Sequence, residues 1–197
     1  MKTRFVILAA LAVLCVSSVM SCTGGVNAKS TEVAISADTL ADERPPLLQA
    51  VDRFLIDSIG KQYASGDVCI PCVPMTSVDG TDTADIKVWG DFWVFNYNIV
   101  GDTLKCVSGG SHSGLMHMRL ENGTYVVTAF EQVEDGSRNE PSARRIFGDK
   151  YEMYRLVNSD DSIRELTRRQ YIIDYVKLNG IKASCYQDYG HPAVNLQ

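Results

Sequence analysis

At 197 residues, 45% hydrophobic and 22% charged, the chain has the composition of one ordinary globular domain plus a leader. A domain of about 150 residues buries roughly 70% of its unfolded surface, so an independent core needs no staple. The formal net charge of −5 argues against nucleic acid or anionic lipid headgroups as partners.

Lys2 and Arg4 precede an apolar run over residues 5–16. This is the pattern of a signal peptide, too short to span a hydrocarbon core of about 30 Å. Where the run ends, Val19-Met20-Ser21-Cys22 resembles the lipobox of bacterial lipoproteins, with Met20 standing where a small residue is usual. The resemblance implies cleavage before Cys22, diacylation of its thiol, and firm anchoring by two or three acyl chains. It also implies the envelope of a Gram-negative-type cell, lipid-anchored to the outer membrane in preference to the inner, facing periplasm or surface. Residues 1–21 are then signal peptide, 22–40 a small, polar, flexible tether, and 41–197 a single α+β domain. Removing 1–21 takes away two positive charges and no negative ones, leaving −7. The lipid, not charge, makes the membrane contact.

Pro45-Pro46 opens a segment with Leu47, Leu48, Val51, Phe54, Leu55 and Ile59 at helical spacing, with Gly60 near its end. Residues 68–75 read as extended, and Pro71 and Pro74 put them at a sheet edge or outside the sheet. Residues 76–83 read as a loop whose Asp79, Asp82 and Asp85 fall three apart, unlike a calcium loop, and are solvated turn acids. Residues 85–133 form an antiparallel meander. The Gly101-Asp102 turn pairs Val100 with Thr103, Tyr97 with Cys106 and Phe95 with Ser108. The Asn122-Gly123 turn pairs Glu121 with Thr124, Arg119 with Val126 and His117 with Thr128.

Alternation then sorts the faces. Met116, Met118, Leu120, Tyr125, Val127 and Ala129 share an apolar face suited to a helix. Leu115, His117, Arg119, Val126, Thr128 and Phe130 share a mixed one. Residues 86–99 are apolar on both sides, and such a strand is covered twice, by a helix on one face and by the curved sheet or a ligand on the other. After Pro141, residues 142–157 predict a helix carrying Ile146, Phe147, Tyr151, Tyr154 and Leu156. Ser159-Asp160-Asp161 starts a longer helix ending at Asn179-Gly180, with Ile163, Leu166, Ile172, Ile173, Tyr175 and Val176 as its buried set. Residues 182–189 add an edge strand. The class is α+β: an N-terminal helix packed on a curved antiparallel meander, followed by C-terminal helices.

Over roughly residues 46–134 this element order resembles the cone-shaped fold of the nuclear transport factor two and cystatin-like superfamily. That superfamily holds isomerases, dehydratases, binding proteins and envelope lipoproteins, so the resemblance selects no function and carries over no catalytic residue. The helical C-terminal extension departs from members whose helices precede the sheet.

Candidates for chemistry are few. Cys69, Cys72, Cys106 and Cys185 allow three disulfide pairings or remain free. Cys69-Ile-Pro-Cys72 has the thioredoxin spacing, but Val73-Pro74 leaves no helix N-terminus to lower a thiol pKa. In the run from Gly109 to Gly114, neither Ser111 nor Ser113 has glycines two residues either side, as a nucleophile elbow requires, and a bulge that bends the sheet is the better reading. His112 and His117, five apart, fall on opposite faces, and no cofactor or metal is expected.

Trp89, Asp91, Trp93, Phe95 and Tyr97 share a face, and together with His117 they make a candidate pocket for a small apolar ligand. Asp188, Tyr189 and His191 read as a surface turn. Binding of a small ligand or an envelope protein is favoured over catalysis. One alternative is a cofactor-free isomerase or dehydratase with His117 and Asp91 as acid and base. Another is a structural module whose sheet edge accepts a partner strand.

Overall fold

A computed structural model describes residues 44–197. The leader, Cys22 and the tether lie outside the described residues. Helix α1 (Pro46–Phe54) starts with proline at its first position, where the missing N–H costs nothing. It runs on through a π-helical turn (Leu55–Ile59) and a 3-10 turn (Gly60–Gln62). Ala50, Val51, Leu55 and Ile59 form its buried stripe.

Seven strands follow in one sheet: β1 (Val68–Cys72), β2 (Met75–Asp79), β3 (Ile86–Val100), β4 (Thr103–Glu121), β5 (Thr124–Gln132), β6 (Cys185–Gln187) and β7 (Val194–Asn195). The order is β1-β3-β4-β6-β7, with β2 continuing β1's side of β3 and β5 pairing β4. Among the described residues only β4 and β6 pair in parallel. β1, with Pro71 inside it, does lie at an edge, since a residue without N–H is tolerated where no outer strand pairs.

Three sequence expectations need correction here. Residues 76–79 are strand, not loop, because Val78 and Asp79 pair with Val88 and Lys87. Residues 182–189 do not form the edge, since β7 pairs outside β6. Both hairpin registers slip by one residue partway along. Tyr97 faces Cys106 as expected, but Asn96 then faces Ser108 and Phe95 faces Gly109, leaving Val107 as an extra residue in β4. Likewise Arg119 faces Val126, but His117 faces Ala129 because Thr128 is bulged in β5. Turn chemistry sets register only near the turn, and a bulge resets it beyond.

The second slip has a packing consequence. It brings Phe130 opposite Met116, onto the α1 side, where it meets Phe54 and Phe92 edge-on at 6.1 and 5.7 Å. Leu120, assigned to the same floor, is exposed near the hairpin tip. The first bulge also lies outside the glycine run. Gly109 is needed instead for close approach: at φ 150, a Cβ there would stand 2.3 Å from the Val94 carbonyl oxygen.

Helices cover both sheet faces. On one, the α1 stripe packs on Val88, Phe92, Val94, Met116 and Met118. Fully burying Phe92 alone contributes about 2–3 kcal/mol. The other face is covered by α2 (Asn139–Phe147), α3 (Tyr151–Asn158) and α4 (Asp161–Leu178). The single helix expected over residues 142–157 is two, divided at Gly148, whose φ of 53 ends α2. On this face Trp89 and Leu115 pack with Ala143, Ile146 and Phe147, while Ile70, Tyr97 and Leu104 pack with Ile172 and Tyr186. Between these two apolar clusters, in strand order, stand Asp91 and Trp93.

One buried carboxylate on the α1 side makes stability pH-dependent. Asp52 accepts from Arg44 Nη1 at 2.6 Å, but its Oδ1 is buried with no partner among the described residues. Burial, opposed by Arg44 and Arg53, pushes its pKa up from 3.8 to about 6. The folded state therefore holds this proton more tightly than the unfolded chain, and its stability falls as pH rises from 3.8 through about 6. The full effect of that shift is about 3 kcal/mol. Comparing urea unfolding at about pH 5 and about pH 7.5, wild type should lose roughly 1–3 kcal/mol more than Asp52→Asn. Equal losses in the two proteins would show that Asp52 is ionised at little cost.

Candidate functional site

Asp91 sits mid-strand in β3 with its side chain 2% exposed. Four donors converge on it: Trp93 Nε1 at 2.5 Å and Arg164 Nη1 at 2.7 Å on Oδ2, and Ser111 Oγ at 2.5 Å and Ser113 Oγ at 2.7 Å on Oδ1. The two serines come from β4, where Ser113 lies directly opposite Asp91. Arg164 comes from α4, stands over the Trp93 ring at 4.8 Å and also donates to Asn158 Oδ1 at the end of α3. A carboxylate offers about four lone-pair positions, and all are taken. Asp91 thus ties the α3–α4 junction to the sheet.

One turn further along α4, Arg168 is 14% exposed and equally engaged. It donates to both oxygens of Asp188 at 2.6 and 2.7 Å and, from Nε and Nη2, to the Tyr97 hydroxyl at 3.1 and 2.7 Å. Its guanidinium lies 3.8 Å from the Phe95 ring centre and 5.2 Å from that of Tyr186. Burial pushes the Tyr97 phenol far above its ordinary pKa, beyond what Arg168 offsets, so it stays protonated.

A cleft of about 480 Å³ opens beside these two arginines. Trp93 and Phe95 line it from β3, Asp161 and Glu165 from α4, and Tyr186 and His191 from the C-terminal segment. Its volume is that of a small-molecule site.

Of the candidate pocket residues, Asp91, Trp93 and Tyr97 belong to this assembly: Trp93 lines the cleft, and Asp91 and Tyr97 hold its arginines. Trp89 does not. Its indole donates to the Ile146 carbonyl at 2.9 Å inside the α2–α3 cluster, under Lys150 at 4.5 Å. His117 does not either. It shares hydrogen bonds with Asp85 at 2.7 Å and Glu131 at 3.2 Å. Facing Lys87, it is four strand positions from Asp91, about 13 Å away, so the acid–base pair of the isomerase reading is not assembled. Burial lowers the His117 pKa, but the two carboxylates outweigh it and hold the imidazole above its ordinary 6.5. The stability this lends is present below 6.5 and is lost as pH rises through the raised value.

Other expectations resolve by geometry. His112 faces the α1 side, its Nε2 3.0 Å from the Tyr63 hydroxyl, opposite to His117. Asp79 and Asp82 cap their own turns through Thr81 and Ala84. Asp188 and His191 are not a surface decoration but a wall of the cleft, whereas Tyr189 is 98% exposed. Ile163 and Leu166, expected in the core, are 46% and 63% exposed. In their place Arg164 and Arg168 face the sheet. They continue the stripe of Ile172 and Tyr175 backwards at four-residue spacing, and that phase was the signal for them. A stripe chosen by hydrophobicity alone passes over it.

The four thiols are free. Cys69 and Cys72 lie three apart in an extended strand, opposite Asn96 and Trp93, and so point to opposite faces. Burial pushes Cys69 to about 11 and Cys72 to about 12. Native protein should therefore leave Cys72 unmodified by a thiol reagent at neutral pH that labels it promptly in urea, read by peptide mass spectrometry. Rapid native labelling of Cys72 would contradict this burial. Among the described residues no group of three His, Cys, Asp or Glu side chains is placed to hold a metal.

No family model, curated protein or solved structure matches the chain. The class its fold defines is an α+β protein with helices on both faces of a largely antiparallel sheet.

Proposed function

We propose that this chain is a lipid-anchored lipoprotein of the cell envelope, attached through Cys22, whose folded domain binds a small molecule in the cleft between β3, α4 and the C-terminal segment. The observation that carries the binding reading is the cleft itself: about 480 Å³, floored by Trp93 and Phe95, with both wall arginines held in place by carboxylates before any ligand arrives. Rigid walls lower the ordering cost of binding. The anchor rests on the leader and on the Val19-Met20-Ser21-Cys22 motif. The resemblance to the cone-shaped superfamily is supported by α1 lying across a long, bulged sheet.

Two experiments test these parts separately. Palmitate labelling in cells should mark the wild type and not Cys22→Ser, and equal labelling would remove the anchor. Protein taken from its own envelope in mild detergent should carry or capture an envelope component, seen as a mass lost on denaturation. Its binding should perturb the Trp93 indole N–H in an NMR spectrum and leave that of Trp89 in place. A component that binds without moving Trp93 would place the site elsewhere, the outer edge of β5, which no further strand pairs among the described residues, being then the alternative.

A further inference from the structure

Resting on that cleft, we infer that its ligand is a small cation: an ammonium or guanidinium group carried on an apolar body. The argument is one of charge balance. Both cationic side chains of the wall are matched, Arg164 by Asp91 at 2.7 Å and Arg168 by both oxygens of Asp188 at 2.6 and 2.7 Å. They project little net positive charge into the space between them. Asp161 and Glu165 also line the cleft, and among the described residues no ion pair engages either. They stand four apart, on one face of α4, so their carboxylates are neighbours about 5–6 Å apart at Cβ. The unmatched charge of the cleft is therefore negative. A carboxylate or phosphate entering it meets two carboxylates while both lining arginines are already paired, whereas an ammonium group meets two acceptors.

The rest of the wall defines the body of the ligand. Phe95, Pro192 and Val194 supply the open apolar surface, with Trp93 and Tyr186, 3% and 2% exposed, behind it. Arg164 already stands over Trp93 and Arg168 over Phe95, at 4.8 and 3.8 Å. The protein's own cations thus use one face of each ring, and the capacity left for a ligand cation is that of Asp161 and Glu165. An apolar or aromatic body lies along Phe95, Pro192 and Val194, with its charged end toward α4.

The test uses the full chain in detergent and three probes of one shape: benzylammonium, benzyl alcohol and benzoate. Calorimetry reads affinity, and the Trp93 indole resonance reports where each probe sits. Benzylammonium is expected to bind about tenfold or more tightly than the other two. The double variant Asp161→Asn, Glu165→Gln should erase that preference and leave Trp93 responsive to benzyl alcohol. Benzoate or benzyl alcohol binding as well as benzylammonium at Trp93 would overturn the charge class and leave the cleft standing. A preference that survives the double variant would likewise overturn it, since the selecting charge would lie elsewhere. Failure of all three probes to bind or to move Trp93 would remove the cleft reading and this one together.

Discussion

Replacing Asp91 with alanine is expected to lower the unfolding free energy by about 3–5 kcal/mol, because it breaks a buried ion pair from one side only. The carboxylate is 2% exposed, and its loss strands the Arg164 guanidinium, the Trp93 N–H and two serine hydroxyls together. Asp91→Asn should cost less, about 1–3 kcal/mol. Its amide oxygen still accepts from Trp93 and Arg164, and the serine hydroxyls rotate to accept from its nitrogen. The measurement is the urea midpoint at constant slope. A loss under about 1 kcal/mol for alanine would mean that the network is incidental to the fold. The ordering of the two variants also separates this role from chemistry, since a proton-transferring carboxylate is abolished equally by either change.

Arg168→Ala is expected to cost a similar 3–5 kcal/mol, with a different spatial signature. The side chain joins Tyr97 on β3 to Asp188 after β6, and lies between Phe95 and Tyr186. Its removal loosens the C-terminal segment around Asp188, leaving the pairing with three residues of β4 and the Arg169 bonds to the Asn195 and Gln197 carbonyls to hold it. Hydrogen exchange should then show lost protection over residues 185–195 before the rest of the sheet opens. Arg168→Lys should rescue little of this. An ammonium group cannot make the bidentate contact with Asp188, reach the Tyr97 hydroxyl from a second nitrogen and stack flat on Phe95 all at once. Unchanged protection of residues 185–195 in Arg168→Ala would show that β4 pairing and Arg169 suffice to hold the segment.

Both sites lay only partly within reach of sequence reasoning, and the reason is specific. The Trp89-to-Tyr97 face was legible because strand alternation has period two and survives any register. The donors to Asp91 were not, because three of them come from positions 20, 22 and 73 residues away, and only Trp93, two residues on, is local. Ser111 and Ser113 invited a test as nucleophiles, and their actual task is to hydrogen-bond a buried acid. His117 was placed correctly on that face, but distance along the strand decided its partners, and Asp85 and Glu131 are nearer than Asp91.

What the chain determines locally, it declares locally. The α1 stripe, the Asn122-Gly123 turn with Asn122 at φ 49, the Asp160 cap accepting from Ser162 and Ile163, and the apolar alternation of β3 follow from neighbours within about one turn or one hairpin. These made the α+β class, the first helix and the central meander readable from the sequence. Tertiary structure decided the bulges at Val107 and Thr128, the division of one expected helix at Gly148, and which stripe of α4 meets the sheet. Each depends on fitting long-range partners. A buried carboxylate needs a cation and a buried phenol oxygen needs hydrogen-bond donors, and those requirements turned Arg164 and Arg168 inward while Ile163 and Leu166 faced out.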